Sequence, residues 1–392
     1  MAGAKKKQTW IFLLWVLVII RCALFLSHKI IIPKQQTTTD DDNAWNIWRK
    51  TTDDFPCHNP GIKLPLQKNT TDGFPLRDKA FYTAGAFSNP SKIPTHGLLF
   101  IKPMKVGSST ATGINLRISK NVAERQHANF SICENSYDHS QGEYFRDRDI
   151  PNSFLWSFVR HPTKRAVSWF FHFVVSRKKI KPTISSFKKY TAMQKNYYLK
   201  LHKLTDANWK WANKTDQYYQ NIIDDILQDY NFIGVTERFD ESLVVLQKLI
   251  GVPMGDLLYF SAKVNGDYDD LCHRIQPTNV TAEMTAYLAS EDWKNKIKWD
   301  EALYKAANVK LERTIEKLGR AGIEKNLATF QSAKKIVGER CQPRAKLPCD
   351  EIGVKRNANE TNCLFLDSAC AYDCIDEVAN ELGMDVGGIL QR

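Results

Sequence analysis

The residues best placed to do chemistry form two short polar stretches, each suited to holding an anion. In the first, KVGSST, Lys105 to Thr110, a glycine allows close backbone approach and small hydroxyl residues open a helix. The N–H groups of Val106, Gly107, Ser108, Ser109 and Thr110 surround an anion in such a loop, and Lys105 adds a mobile positive charge. The lysine precedes the glycine, unlike the Walker order G-x-x-x-x-G-K-[ST], and no later strand ends in a clear Walker B aspartate. A nucleoside triphosphatase is therefore disfavoured. Taken alone, the hexapeptide also reads as a plain helix cap.

The second stretch, RHPTKRAVSW, has the pattern R-x-P-x-x-R-x-x-S from Arg160 to Ser168. If Arg160 leaves the end of a strand and Ser168 sits two turns into the following helix, an anion between them takes one charge-assisted and one neutral hydrogen bond. Singly, Arg160 reads as a surface ion pair and Ser168 as a packing hydroxyl. A proton acceptor is available between the two stretches: His139 lies 21 residues before Arg160, and imidazole titrates near ~6.5. His127, His161, Glu134 and Glu143 are the other groups that could take a proton there.

Three strand-loop-helix units must position these groups. Residues 97–103 form an apolar run closed by proline, with a helix over 110–117. Residues 154–159 read as a strand before a helix that starts at Pro162 and runs to about Ser176. Residues 232–236 read as a third strand, with Asp240 as N-cap of a helix ending at Gly251. A further helix is marked by Trp299, Leu303, Ala306, Leu311, Ile315 and Leu318. Alternating strands and helices predict an α/β domain with a central, mainly parallel sheet.

In this order and about 55 residues apart, KVGSST and RHPTKRAVS resemble the paired loops of sulfotransferases that use 3′-phosphoadenosine 5′-phosphosulfate, PAPS. Residues 232–260 and 293–315 are similar to later blocks of Golgi carbohydrate sulfotransferases, most nearly the galactose-3-O-sulfotransferases, with the heparan sulfate 2-O-sulfotransferases close behind. The first family typically has a Lys-Thr-Ala-Ser-Ser-Thr-like loop and Arg-Glu-Pro where this chain has KVGSST and RHP. The resemblance implies a P-loop-like sulfotransferase fold and PAPS as sulfuryl donor. It assigns Lys105 to Thr110 to the 5′-phosphosulfate, Arg160 and Ser168 to the 3′-phosphate, and His139 and Lys105 to the chemical step. It also implies a glycan hydroxyl as acceptor, of galactose type or at a uronic-acid 2-O position. No metal and no nucleic acid are expected. A binding protein that keeps the fold without catalysis would share the same charge balance.

The flanks bear on compartment. Lys5, Lys6 and Lys7 precede a seventeen-residue apolar run, 10–26, that predicts a signal anchor over 10–32 in type II orientation, with a cleaved signal peptide as the alternative. Residues 1–9 would be a cytosolic tail, 33–91 a luminal stem, 92–330 the catalytic domain and 331–392 a cysteine-rich extension of a Golgi membrane protein. Five N-x-[ST] sequons, at Asn69, Asn129, Asn213, Asn279 and Asn359, suit a lumen. So do the cysteines. Five of nine, Cys341, Cys349, Cys363, Cys370 and Cys374, crowd the tail; the number is odd, so at least one must pair with Cys57, Cys133 or Cys272 or stay free. A formal net charge of +12 fits an anionic ligand.

Overall fold

The computed structural model describes residues 83–84, 97–125, 131–132, 142–148, 150–204, 214–260 and 267–384. The expected anchor lies outside these residues, as do His127, Glu134, His139, Cys57 and Cys133. Among the described residues no helix is long and apolar enough to cross a membrane.

In chain order come β1 (Thr83–Ala84), β2 (Gly97–Ile101), α1 (Ser108–Arg125), β3 (Ser131–Ile132), β4 (Ser153–Val159) and α2 (Pro162–Trp169). α3 (Ile184–Ala192), α4 (Tyr197–His202), α5 (Asp216–Asp229), β5 (Phe232–Val235) and α6 (Phe239–Ile250) follow. The rest is α7 (Ala282–Ala289), α8 (Glu291–Leu318), α9 (Arg320–Cys341), the strands β6 (Cys363–Phe365) and β7 (Ser368–Cys370), and α10 (Tyr372–Glu381).

The five-stranded sheet has the order β3-β1-β2-β4-β5 and every pair in it is parallel. β2 and β4 are buried along their whole length, as a parallel sheet covered on both faces requires. The chain leaves β2 toward one side of the sheet, to β3, and leaves β4 toward the other, to β5. A crevice at the carboxyl ends of β2 and β4 is thus a topological switch point, where α/β sheets place their ligands. β1 falls inside the stretch expected as stem.

Two helices depart from their sequence pattern for identifiable reasons. α1 extends well beyond the expected 110–117 because several of its buried polar residues find partners outside the helix. Asn115 accepts from the Trp156 indole at 2.9 Å, Arg117 donates to the carbonyls of Gly255 and Leu258, and Asn121 donates to Asp256 at 3.0 Å. α2 passes at Phe170 into a π-helical segment, Phe170–Arg177. The wider turn carries Phe170, Phe171 and Val174 into a second apolar cluster with Phe187, Tyr287 and Trp293, separate from the main core. Asp240 is not the N-cap of α6: a 3₁₀ turn, Thr236–Arg238, runs directly into the helix with Arg238 at the cap. The Asp240 carboxylate instead accepts from the Tyr259 hydroxyl at 2.6 Å and pairs with Lys334. Gly251 does end α6, at φ +72°.

The cysteine-rich tail packs into the main core. α9 runs through residue 330 without a break, and Phe330, Ala333, Val337 and Cys341 share the cluster of the sheet with Cys374, Ile375 and Val378 of α10. All five tail cysteines are oxidised, in Cys341–Cys374, Cys363–Cys370 and Cys272–Cys349. Cys272 is the partner from outside the tail that the odd number demands.

Candidate functional site

The first anion loop is shaped by backbone the sequence permits at few positions. Lys105 has φ +64° and Gly107 φ +79°, and a side chain at Gly107 would also meet the Phe239 ring at 3.2 Å. That ring stacks on Phe158 of β4, centroids 4.5 Å apart. The first helical bond of α1 is Ala111 N–H to the Gly107 carbonyl, 3.0 Å. The N–H groups of Ser108, Ser109 and Thr110 precede it, and an 18-residue helix adds its positive end there.

Loop carbonyls, which would repel an anion, are engaged elsewhere. The Lys105 carbonyl accepts from Arg160 Nη1 at 3.1 Å. The Val106 carbonyl lies 2.9 Å from Thr236 Oγ1, itself 3.1 Å from the Val159 carbonyl. Thr236 therefore ties the end of β5 to the first loop and to the end of β4. Arg160, half-buried at the end of β4, is brought against the first loop as its spacing suggested.

α4 clamps the two loops from one side. The Met104 N–H donates to the Tyr197 hydroxyl at 2.6 Å. The Arg160 N–H donates to the Tyr198 hydroxyl, which donates back to the Arg160 carbonyl, each at 2.8 Å. Burial pushes both phenols above their ordinary range, so they remain hydrogen-bond donors at any working pH. α4 is itself capped by Asp300 of α8, which accepts from Tyr197 N–H at 2.8 Å and Tyr198 N–H at 2.9 Å. Burial raises the Asp300 carboxyl to about 6, against the opposing pull of Arg165.

Arg165, the second arginine of R-x-P-x-x-R, is 1% exposed. Its guanidinium stacks on Tyr197, 3.7 Å from the centroid, and Nη2 donates to Gln194 at 3.1 Å. It braces α4 from beneath. Ser168 lies two turns into α2, half-buried, with no side-chain hydrogen bond among the described residues. His161 is the residue before α2; its backbone N–H donates to Glu237, and Nε2 is 3.7 Å from Glu301. Glu143 lies in the 3₁₀ turn Gly142–Phe145.

The sequence reading missed Thr236, Tyr197, Tyr198, Arg165 and Asp300. For Asp300 a signal exists: it shares the buried stripe of α8 with Trp293, Ile297, Leu303 and Ala307, and an acid on an apolar stripe needs a partner. An open pocket adjoins the loop, lined by Ser109, Thr110, Gly113, Leu258, Tyr259 and, from the tail, Ala369.

A family model described as galactose-3-O-sulfotransferase matches residues 151–358. The match includes Arg160, Ser168, α8 and Cys349, and begins after the first loop. No curated protein and no solved structure matches the chain.

Proposed function

The chain belongs to the galactose-3-O-sulfotransferase family, and from that premise we propose that it transfers a sulfuryl group from PAPS to a hydroxyl of a galactose-type glycan in the Golgi lumen, as a type II membrane protein. The observation that carries this reading is the junction of the two anion loops at the switch point, Arg160 on the carbonyl of Lys105. The family match does not include the first loop, so the loop's geometry is independent support.

The residues present suit the donor. A helix start with its first N–H groups ahead of the first helical bond, a glycine at positive φ, a lysine and an arginine make a donor set that fits two separate phosphate-type anions. Lys105 and the amides of Val106 to Thr110 would hold the phosphosulfate; Arg160 and Ser168 would hold the 3′-phosphate. PAPS supplies the activated sulfuryl group. Lys105 and the helix end favour negative charge on the phosphate as it departs, and fixed dipoles do so without reorganising. His139 is our candidate for the base that takes the acceptor hydroxyl's proton.

The direct test is transfer of labelled sulfate from PAPS to galactose-terminated and uronic-acid-containing glycans, with retention on immobilised 3′,5′-ADP measured in parallel. Arg160→Ala should weaken 3′,5′-ADP binding roughly ten- to hundred-fold, the loss of one charge-assisted contact of ~1.5 to 3 kcal/mol. Unchanged affinity in calorimetry would remove the phosphate role. Retention without transfer to any glycan would favour a binding protein over an enzyme.

A further inference from the structure

The positive charge of this protein is concentrated in one place. From Ile150 to Thr205 there are twelve Lys and Arg and no Asp or Glu, as much positive charge as the formal +12 of the whole chain. The remainder balances. An ordinary solvated face mixes both signs.

Four members are engaged elsewhere: Arg160 faces the first loop, Lys164 lies 3.9 Å from Glu237, Arg165 is buried, and Arg177 pairs with Asp269 and Asp270 at 2.6 and 2.7 Å. Lys178, Lys179, Lys181, Lys188, Lys189 and Lys195 are exposed and, among the described residues, form no ion pair. They follow α3 and its flanking turns. α3 turns Phe187 and Thr191 inward and leaves Lys188 and Lys189 in solvent.

Along the chain the strip runs up to the candidate site. Lys195 is two residues before Tyr197, whose hydroxyl takes the Met104 N–H of the first loop. α3 spans about 13 Å, and the half-buried Tyr190 lies among the lysines. Lys178 and Lys189 lie over the Tyr190 ring at 5.7 and 5.4 Å, and Lys188 over Tyr287 at 5.3 Å. Ammonium groups on flexible stems match a series of carboxylates or sulfates without fixed spacing.

We infer that this strip holds the acceptor, and that the acceptor is an anionic polysaccharide carrying carboxylate or sulfate groups along its length. The inference rests on the sulfotransferase reading of the adjoining crevice, which gives the bound chain a destination. A membrane surface would draw on the same charge but has no reason to end at the crevice.

The test uses the full-length chain and two variants matched in charge. One removes strip lysines, Lys178→Ala, Lys179→Ala, Lys188→Ala and Lys189→Ala; the control removes exposed lysines elsewhere, Lys248→Ala, Lys317→Ala, Lys325→Ala and Lys335→Ala. Binding is measured to hyaluronan, to neutral dextran and to phosphatidylserine-containing vesicles, with 3′,5′-ADP affinity alongside. Hyaluronan should bind the parent and the control similarly and the strip variant about tenfold or more weakly, the sum of four modest surface charges. Dextran should not bind, and 3′,5′-ADP should bind all three alike. Equal loss in both variants, no binding of hyaluronan, or vesicle binding that alone depends on the strip would each overturn the inference. A parent that binds hyaluronan through the strip but not 3′,5′-ADP would sink the sulfotransferase reading and leave a polysaccharide-binding surface.

Discussion

Lys105 and Gly107 sit in a left-handed stretch of backbone, and the two residues should fail in different ways. Lys105→Ala keeps the loop but removes its charge, so 3′,5′-ADP binding and turnover should fall together. His139→Ala should leave binding intact while turnover falls ~10²- to 10⁴-fold, the usual share of a general base; turnover within threefold of the parent would remove it from that role. Gly107→Ala meets both a φ of +79° and the Phe239 ring at 3.2 Å. A cost of roughly 1–2 kcal/mol in the loop conformation should appear as weaker nucleotide binding with an unchanged far-ultraviolet spectrum. Asp300 gives a pH signature. Its folded carboxyl is raised to about 6 by burial, so the stability it contributes is present below ~4 and lost as pH rises through about 6. Between pH 4 and pH 7 the parent should lose on the order of 2 kcal/mol relative to Asp300→Asn, which does not titrate. Urea midpoints at four pH values would show it; parallel curves would mean the carboxyl is not strained.

Among the elements, α4 has the greatest influence for its size, since two of its six residues, Tyr197 and Tyr198, hold one loop each. Tyr198→Phe deletes the hydroxyl that exchanges two hydrogen bonds with the Arg160 backbone. The expected loss is about 1–3 kcal/mol, read as a lower denaturation midpoint and a weaker 3′,5′-ADP complex; a variant indistinguishable from the parent would show that Arg160 is held by β4 alone. The strand-loop-helix units were legible in the sequence because their periods are local: Phe154 to Val159 is apolar at every position but Ser157, and Pro162 marks the start of α2. α4 was not legible. Tyr197 and Tyr198 look like ordinary polar-aromatic residues until Asp300, about a hundred residues later, caps them, and nothing local announces that pairing. The π-helical turn after Trp169 was hidden for a related reason: WFFHF has a bulky ring at every step, so no period distinguishes a 3.6-residue turn from a wider one. α1 hid its length behind Asn115, Arg117 and Asn121, whose burial depends on distant partners.

At the scale of the molecule, the tail that reads as an appendage is part of the structure that supports the site. Arg117 of α1, the helix whose N-terminus faces the anion loop, is 1% exposed and pairs with Asp376 of α10. A Cβ at Gly113 of α1 would lie 2.6 Å from the Ala369 backbone nitrogen, so the β6–β7 hairpin rests directly on the same helix. Disulfides hold this arrangement with unequal reach: 77 residues separate Cys272 from Cys349, 33 separate Cys341 from Cys374, and 7 separate Cys363 from Cys370. Restricting the unfolded chain alone gives stabilisations of roughly 4–5, 4 and 2 kcal/mol in that order. Cys341 and Cys374 add burial, being 0% and 2% exposed within the core, so a serine pair there also loses packing. Cys363→Ser with Cys370→Ser should therefore lower the denaturant midpoint least, and still loosen the hairpin on α1 enough to weaken 3′,5′-ADP binding. Cys341→Ser with Cys374→Ser should lower it most or nearly so, with binding and fold lost together in a single transition. A Cys341 and Cys374 double variant that kept the parent's midpoint while nucleotide binding survived would show that α10 is dispensable, and with it the tail's support of α1.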